Sequence, residues 1–234
     1  MNWGNFKSGI VITPRSRVLC IGKVGTGKST RRKGALANAM AAGQRRIISF
    51  DTLDEDSIHG RKRKSVELGP LTRRMTTEEL ADNLDVLWED ELYLAVVPAT
   101  RDPDEWAHDF AALIQDVEEA GDCILSASEV GVWSEYCVKA LNKAACLARH
   151  WGDEGVGLIV DAQRATGIPY TFRTQASDIV SGLQDMPDDV DALRERCGDR
   201  FGDEVATLSV EKHEFRHWRD TDGRWERAAK GKSK

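Results

Sequence analysis

Apolar residues fall into short dense runs, separated by stretches with helical spacing. Arg17-Val18-Leu19-Cys20-Ile21, Arg46-Ile47-Ile48-Ser49-Phe50, Glu91 to Val97, Asp122 to Glu129 and Gly155 to Arg164 hold few polar interruptions. Such runs read as strands covered on both faces. Between them lie amphipathic segments. The one from Lys28 to Ala42 carries Leu36, Ala37 and Met40. Leu80, Leu84 and Leu87 form a stripe behind a cap at Thr76/Thr77 and Glu79. Asp104–Ala120 puts Trp106, Phe110, Leu113, Ile114 and Val117 on one face. Ser134–Arg149 and Asp188–Cys197 follow the same spacing, and Gly43 and Gly121 suit helix ends. Alternation of strand and helix predicts an α/β fold, a mainly parallel sheet layered between helices. Ile10–Thr13 reads as a short strand and Ala176–Gly182 as a small strand or turn. Ala206–Val210 with Glu214–Trp218 reads as a small C-terminal hairpin turning at Glu211-Lys212-His213. The chain is expected to be one domain. It comprises an arm (1–16), a core (17–185), a C-terminal helix and hairpin (186–223) and a basic tail (224–234).

Chemistry enters at the end of the first strand. Gly22-Lys23-Val24-Gly25-Thr26-Gly27-Lys28-Ser29 fits G-x-x-x-x-G-K-[ST], the phosphate-binding loop known as Walker A. Strand, loop and helix stand in the order the motif requires. Glycines let backbone N–H groups converge on an anion, and the following helix adds its positive end. Residues 22–30, through Thr30, are therefore the expected nucleotide contacts. Lys28 would reach the β- and γ-phosphates and the Ser29 hydroxyl would face Mg²⁺.

Three later strand ends add candidates. In nucleotide hydrolases an apolar strand ending in Asp-Glu holds the metal-bound water and the general base. Here the run ends in Ser128-Glu129. Glu129 is the candidate base, the other reading being a helix-capping glutamate. Ser128 stands where the Asp would be, and its hydroxyl could order a metal-bound water. Gln163 could bond a γ-phosphate or the attacking water, or be a plain polar strand end. Asp51 faces ligand or forms a turn.

Charge changes the picture. The net charge is −6, yet residues 1–50 contain ten Lys/Arg and no Asp or Glu, whereas residues 75–135 contain seventeen Asp/Glu and one arginine, Arg101. A uniformly nucleic-acid-coated surface is excluded; a nucleic-acid partner requires a local patch. Arg61-Lys62-Arg63-Lys64 and Arg73-Arg74 are candidates for that patch, or else solvated loops. The five cysteines show no C-x-x-C spacing and sit mostly in apolar runs, as expected of buried thiols. No window approaches the length of a membrane span.

Together these residues resemble the FtsK/HerA superfamily of P-loop ATPases over roughly residues 9–185. The carriers are Gly22–Ser29, the strands ending at Asp51 and Glu129, and Arg149–Arg164 with Ile168-Pro169. Arg173 and Ala176-Ser177-Asp178-Ile179-Val180 look like the segment that follows in such proteins. The resemblance implies a three-layer RecA/ASCE-like fold, Mg²⁺ and ATP, and a pentameric or hexameric ring that moves double-stranded DNA through a central pore. Glu129 matches the family's catalytic glutamate and Gln163 its polar sensor. Arg149 lies near the arginine finger supplied to a neighbour's nucleotide, three residues further from the Gly-led strand than the pattern has it; Arg164 and Arg173 are rivals. The compact chain is most similar to genome-packaging ATPases of double-stranded DNA viruses with an internal membrane. That implies action in the host cytoplasm or at a virion vertex, with capsid vertex proteins as partners. A HerA-like, conjugation-type or filamentous-phage assembly ATPase is the alternative. A small-molecule kinase would need a lid, which the sequence does not present. A nucleotide-binding scaffold has Ser128 as its support.

Overall fold

The computed structural model describes residues 10–61 and 68–220. Residues 1–9, the basic residues Lys62, Arg63 and Lys64, and the tail 224–234 lie outside the described residues. Eight strands form one sheet: β1 (Arg17–Ile21), β2 (Arg46–Phe50), β3 (Arg73–Thr76), β4 (Leu92–Val97), β5 (Ile124–Ala127), β6 (Gly157–Ala162), β7 (Asp178–Ser181) and β8 (Arg216–Arg219). Their order is β3-β4-β2-β5-β6-β1-β7-β8. All pairings are parallel except β7 with β8. The helices are α1 (Lys28–Ala41), α2 (Thr77–Ala81), α3 (Pro103–Ala120), α4 (Val130–Trp133), α5 (Val138–Leu147), α6 (Tyr170–Gln175), α7 (Pro187–Cys197) and α8 (Asp199–Val205). This is the three-layer α/β architecture the strand–helix alternation predicts. None of the described helices is long and apolar enough to cross a membrane.

β1, β5 and β6 are buried along their whole length, because helices cover both faces. Alternate residues serve two cores. Leu19, Ile21, Phe50, Leu125 and Val160 pack with α3 and α5. There Phe50, Phe110 and Trp133 form a three-ring cluster with centroids 4.8–5.5 Å apart. Val18, Cys20, Ile47, Ile124 and Ile159 face Ala35, Leu36 and Ala39 of α1. The edge strands β3 and β8 are short and carry exposed arginines, which discourages further pairing.

Local signals account for several boundaries. Thr76 and Glu79 form a reciprocal capping box at α2. At the end of α1, Gly43 has φ 92°, its N–H donates to Met40 O, and the Gln44 N–H donates to Ala39 O. This Schellman closure needs a left-handed residue, which glycine supplies.

Two sequence expectations need correction. Ile10–Thr13 is not a strand: β1 already has β6 and β7 as neighbours, and Ile10 and Ile12 instead cover the α1 face. The C-terminal hairpin is not formed either. Ala206–Val210 is a turn-rich segment after α8, and β8 pairs with β7, placing Trp218 opposite Ile179.

Candidate nucleotide site

β6 lies between β1 and β5. The carboxyl ends of these three strands therefore bring the Walker A loop, Gln163 and Glu129 to one edge of the sheet. The loop turns through Gly25 (φ 85°) and Gly27 (φ 83°) into α1. Its base is fixed by Gly22 N–H to Ala162 O (3.2 Å) and Lys23 N–H to Leu183 O (3.2 Å). Thr26 closes it, its hydroxyl donating to Lys23 O at 2.8 Å. Gly182 must be small, since a Cβ there would stand 2.6 Å from Thr26 Cβ. The loop's outer side is clasped from far along the chain: His213 Nδ1 lies 2.8 Å from Gly25 O, and Arg31 donates to His213 O at 2.6 Å.

Lys28 is the first residue of α1 and is buried. Its Nζ donates to Glu129 Oε1 at 2.7 Å, and Gln163 Nε2 donates to Glu129 Oε2 at 3.3 Å. Three residues singled out separately in the sequence thus meet at one carboxylate. Ser29 follows Lys28 in the first turn of α1, and Thr30 is exposed beside it.

Glu129 adopts φ 50°, ψ 38°, a left-handed conformation that costs a non-glycine residue about 1–3 kcal/mol. Surrounding groups impose it. The Glu129 N–H donates to Asp161 Oδ1 at 2.8 Å, and Asp161 Oδ2 accepts from Arg32 Nε at 2.6 Å. Arg32 lies one turn along α1 from Lys28 and is 1% exposed. Its other nitrogens reach Asp56 Oδ2 (2.5 Å), Asp56 Oδ1 (2.8 Å) and Ser126 Oγ (2.7 Å). Burial alone would favour a neutral Arg32; Asp56 and Asp161 outweigh it and raise the guanidinium above its ordinary value. Asp56 is likewise penalised by burial, but Arg32 holds it below the usual carboxylate range. Sequence reasoning missed this cluster, because neither Arg32 nor Asp56 sits in a motif.

Asp51 takes the turn-forming role. Its Oδ2 accepts the N–H groups of Glu55 (2.5 Å) and Asp56 (2.6 Å). Burial, then the neighbouring Asp56 charge, pushes its carboxyl up to about 7. Ser128 is fully buried. Its hydroxyl accepts the Thr52 N–H at 2.9 Å and lies 3.0 Å from Thr52 Oγ1 and 3.4 Å from Phe50 O. It ties the end of β2 to the end of β5.

The arginines separate into distinct settings. Arg149 is exposed in a 3-10 turn before β6, at the amino ends of the strands and so away from its own Walker A loop. Its Nε contacts His150 Nε2 at 3.1 Å. Arg164 is anchored by Asp189 (2.9 Å) and Arg173 by Ala165 O (3.3 Å). Arg73 pairs with Glu89 at 2.8 Å, and Arg74 forks onto Asp54 at 2.7 and 3.0 Å, so both charges are already compensated. Arg61 is exposed.

No family model and no curated protein matches the chain. Solved structures do. The genome-packaging NTPase B204 of Sulfolobus turreted icosahedral virus 2, in complex with AMPPCP, superposes with a TM-score of 0.61 at 17% identity, over 88% of this chain and 98% of that one. B204, the DNA-packaging ATPase of Sulfolobus turreted icosahedral virus, gives 0.56 at 17% identity, over 88% and 98%. The pCW3 conjugation coupling protein TcpA, a monomer form with ATPγS, gives 0.50 at 13% identity, over 92% of this chain and 64% of that one. At these identities the likeness is one of fold, the one expected from the FtsK/HerA resemblance.

Proposed function

We propose that this chain is an ATP-hydrolysing motor that moves double-stranded DNA, with packaging of a viral genome into a preformed capsid as its specific role. The observation that carries the reading is the meeting of Lys28, Glu129 and Gln163 at the Walker A loop. The triphosphate would lie along residues 22–30, over backbone N–H groups and the start of α1. Lys28 would exchange the Glu129 carboxylate for the β- and γ-phosphates. Glu129, so released, would take the proton of the water attacking in line, and Gln163 would hold the γ-phosphate or that water. The Ser29 hydroxyl, in the first turn of α1, would hold Mg²⁺ together with nucleotide phosphates. Bound there, Mg²⁺ would neutralise charge developing on the phosphate oxygens.

The location of Arg149 supports a finger that acts on a neighbouring subunit's nucleotide, in a pentameric or hexameric ring. Capsid vertex proteins are the further partners of the packaging role, at a virion vertex or in the host cytoplasm. The likeness to a conjugation coupling protein supports a conjugation-type translocase as the second reading. The deciding experiment is ATP turnover with and without double-stranded DNA, with particle mass measured on the same samples. DNA-stimulated turnover by a ring is expected; turnover indifferent to DNA, by a monomer, would remove the motor reading. Lys28→Ala is expected to abolish most ATP binding. Glu129→Gln is expected to keep ATP bound and lower turnover by about 10²–10⁴-fold, the usual contribution of a general base.

A further inference from the structure

Beside the nucleotide site, the loop after β2 and the loop after β4 enclose a cleft of about 560 Å³. Val97, Pro98 and Trp106 give it an apolar floor, and Arg61 and Arg101 stand on its walls. Both arginines are exposed, and among the described residues neither guanidinium has a carboxylate partner. The acidic lining residue Asp54 is neutralised by Arg74. Asp102, next to Arg101, caps α3 by accepting the Asp104 N–H at 3.1 Å. Within the acidic stretch 75–135, the single arginine thus shares this cleft with Arg61, 40 positions earlier in the chain.

We propose that this cleft is a contact site for the phosphodiester backbone of a nucleic acid, and that its occupancy is felt at Glu129. The double-stranded form, and the consequence for hydrolysis, rest on the motor reading. Unpaired guanidiniums bind phosphate oxygens, and an apolar floor suits the sugar between them. An open cleft accommodates a continuous chain better than an enclosed pocket would. Two hydrogen-bonded connections join its β2-side wall to the catalytic edge. In one, the Thr52 N–H binds Ser128 Oγ, next to Glu129. In the other, Asp56 pairs with Arg32, Arg32 with Asp161, and Asp161 holds the Glu129 N–H. A strand that draws on Arg61 pulls on a loop wired twice to the general base. Coupling of this kind is reciprocal, so nucleotide alters duplex affinity by the factor by which duplex alters nucleotide affinity.

The test is fluorescence anisotropy of a labelled DNA duplex over a KCl series, with wild type, Arg61→Ala, Arg101→Ala and, as a charge-matched control, Arg45→Ala. Arg45 is exposed just before β2, at the opposite end of that strand. Each cleft variant is expected to lower the log–log salt slope by about 0.9 and to weaken binding about eight-fold at 0.1 M salt, the share of one phosphate contact. Arg45→Ala is expected to change neither. No binding by wild type, equal losses in all three variants, or displacement of the duplex by inorganic phosphate at matched ionic strength would overturn the site. The coupling is read from the ratio of ATP turnover with and without duplex. Ser128→Ala is expected to keep duplex affinity and lose stimulation; full stimulation in that variant overturns the link to Glu129. Duplex binding that depends on the cleft in a chain that hydrolyses no ATP would keep the site and discard the motor reading.

Discussion

Glu129 combines a strained backbone with a carboxylate shared by Lys28 and Gln163, and Asp161 holds that geometry from below. Asp161→Asn retains an oxygen for the Glu129 N–H but loses the ion pair with Arg32. Turnover is expected to fall about 10- to 100-fold, the effect of misplacing a reacting group by about 1 Å. Affinity for ATP, measured by titration, should change little. Asp51 yields a pH dependence. Its folded value of about 7 exceeds the ordinary carboxylate value of 3.8, so the folded chain holds this proton where the unfolded chain has released it. Between roughly these values its contribution to stability falls as pH rises, levelling off above about 7. In Asp51→Asn that contribution is absent. Denaturation midpoints of the variant and of wild type, followed from pH 4 to 8, should therefore shift in the variant's favour with rising pH. Lys28, Glu129 and Gln163 were legible in the sequence because each sits in a local pattern: a motif or a strand end. Arg32, Asp56 and Asp161 were not, since their pairing spans 24 and 129 positions and no periodicity records it. The job of Ser128 was illegible for the same reason, as its partner Thr52 is 76 positions away.

Among elements, the buried strands and long helices were readable because dense apolar runs and a one-sided stripe follow directly from burial. β3, α4, α6 and α8 were missed. β3 reads Arg-Arg-Met-Thr and carries no strand signal of its own; it is fixed by pairing with β4. The hairpin expectation failed because β7 offered β8 a free edge, a fact visible only in the assembled sheet. The turn after β7 also bears on the Walker A loop. In Gly182→Ala the new methyl would stand 2.6 Å from Thr26 Cβ and 2.8 Å from its Oγ1, so the Thr26 side chain must shift. Nucleotide affinity is expected to drop at least ten-fold while the far-UV circular dichroism spectrum is kept, and Thr26→Gly in the same chain should restore part of it. Among the core aromatics, Phe110→Ala removes one ring of the three-ring cluster. A loss of about 3–5 kcal/mol is expected in chemical denaturation.

For the whole molecule, the Walker A loop and Arg149 lie at opposite ends of the strands, so one subunit cannot bring both to one nucleotide. Arg149→Ala is expected to reduce turnover by about 10³-fold or more while ATP stays bound, as for an arginine finger. Mixing Arg149→Ala with Lys28→Ala subunits should recover part of the activity, since some interfaces then join an intact Lys28 to an intact Arg149. No recovery, in mixtures whose co-assembly is checked by mass, would mean the finger is another residue. The order of the strands has a consequence for synthesis. β1 emerges from the ribosome first, yet its partners β6 and β7 begin at residues 157 and 178, and the clasp on Gly25 comes from residue 213. A nascent chain must therefore carry its phosphate loop unsupported through most of translation, with an apolar strand exposed to aggregation or to a chaperone. On the proposed reading, nucleotide competence arrives only when the end of the fold closes over its beginning.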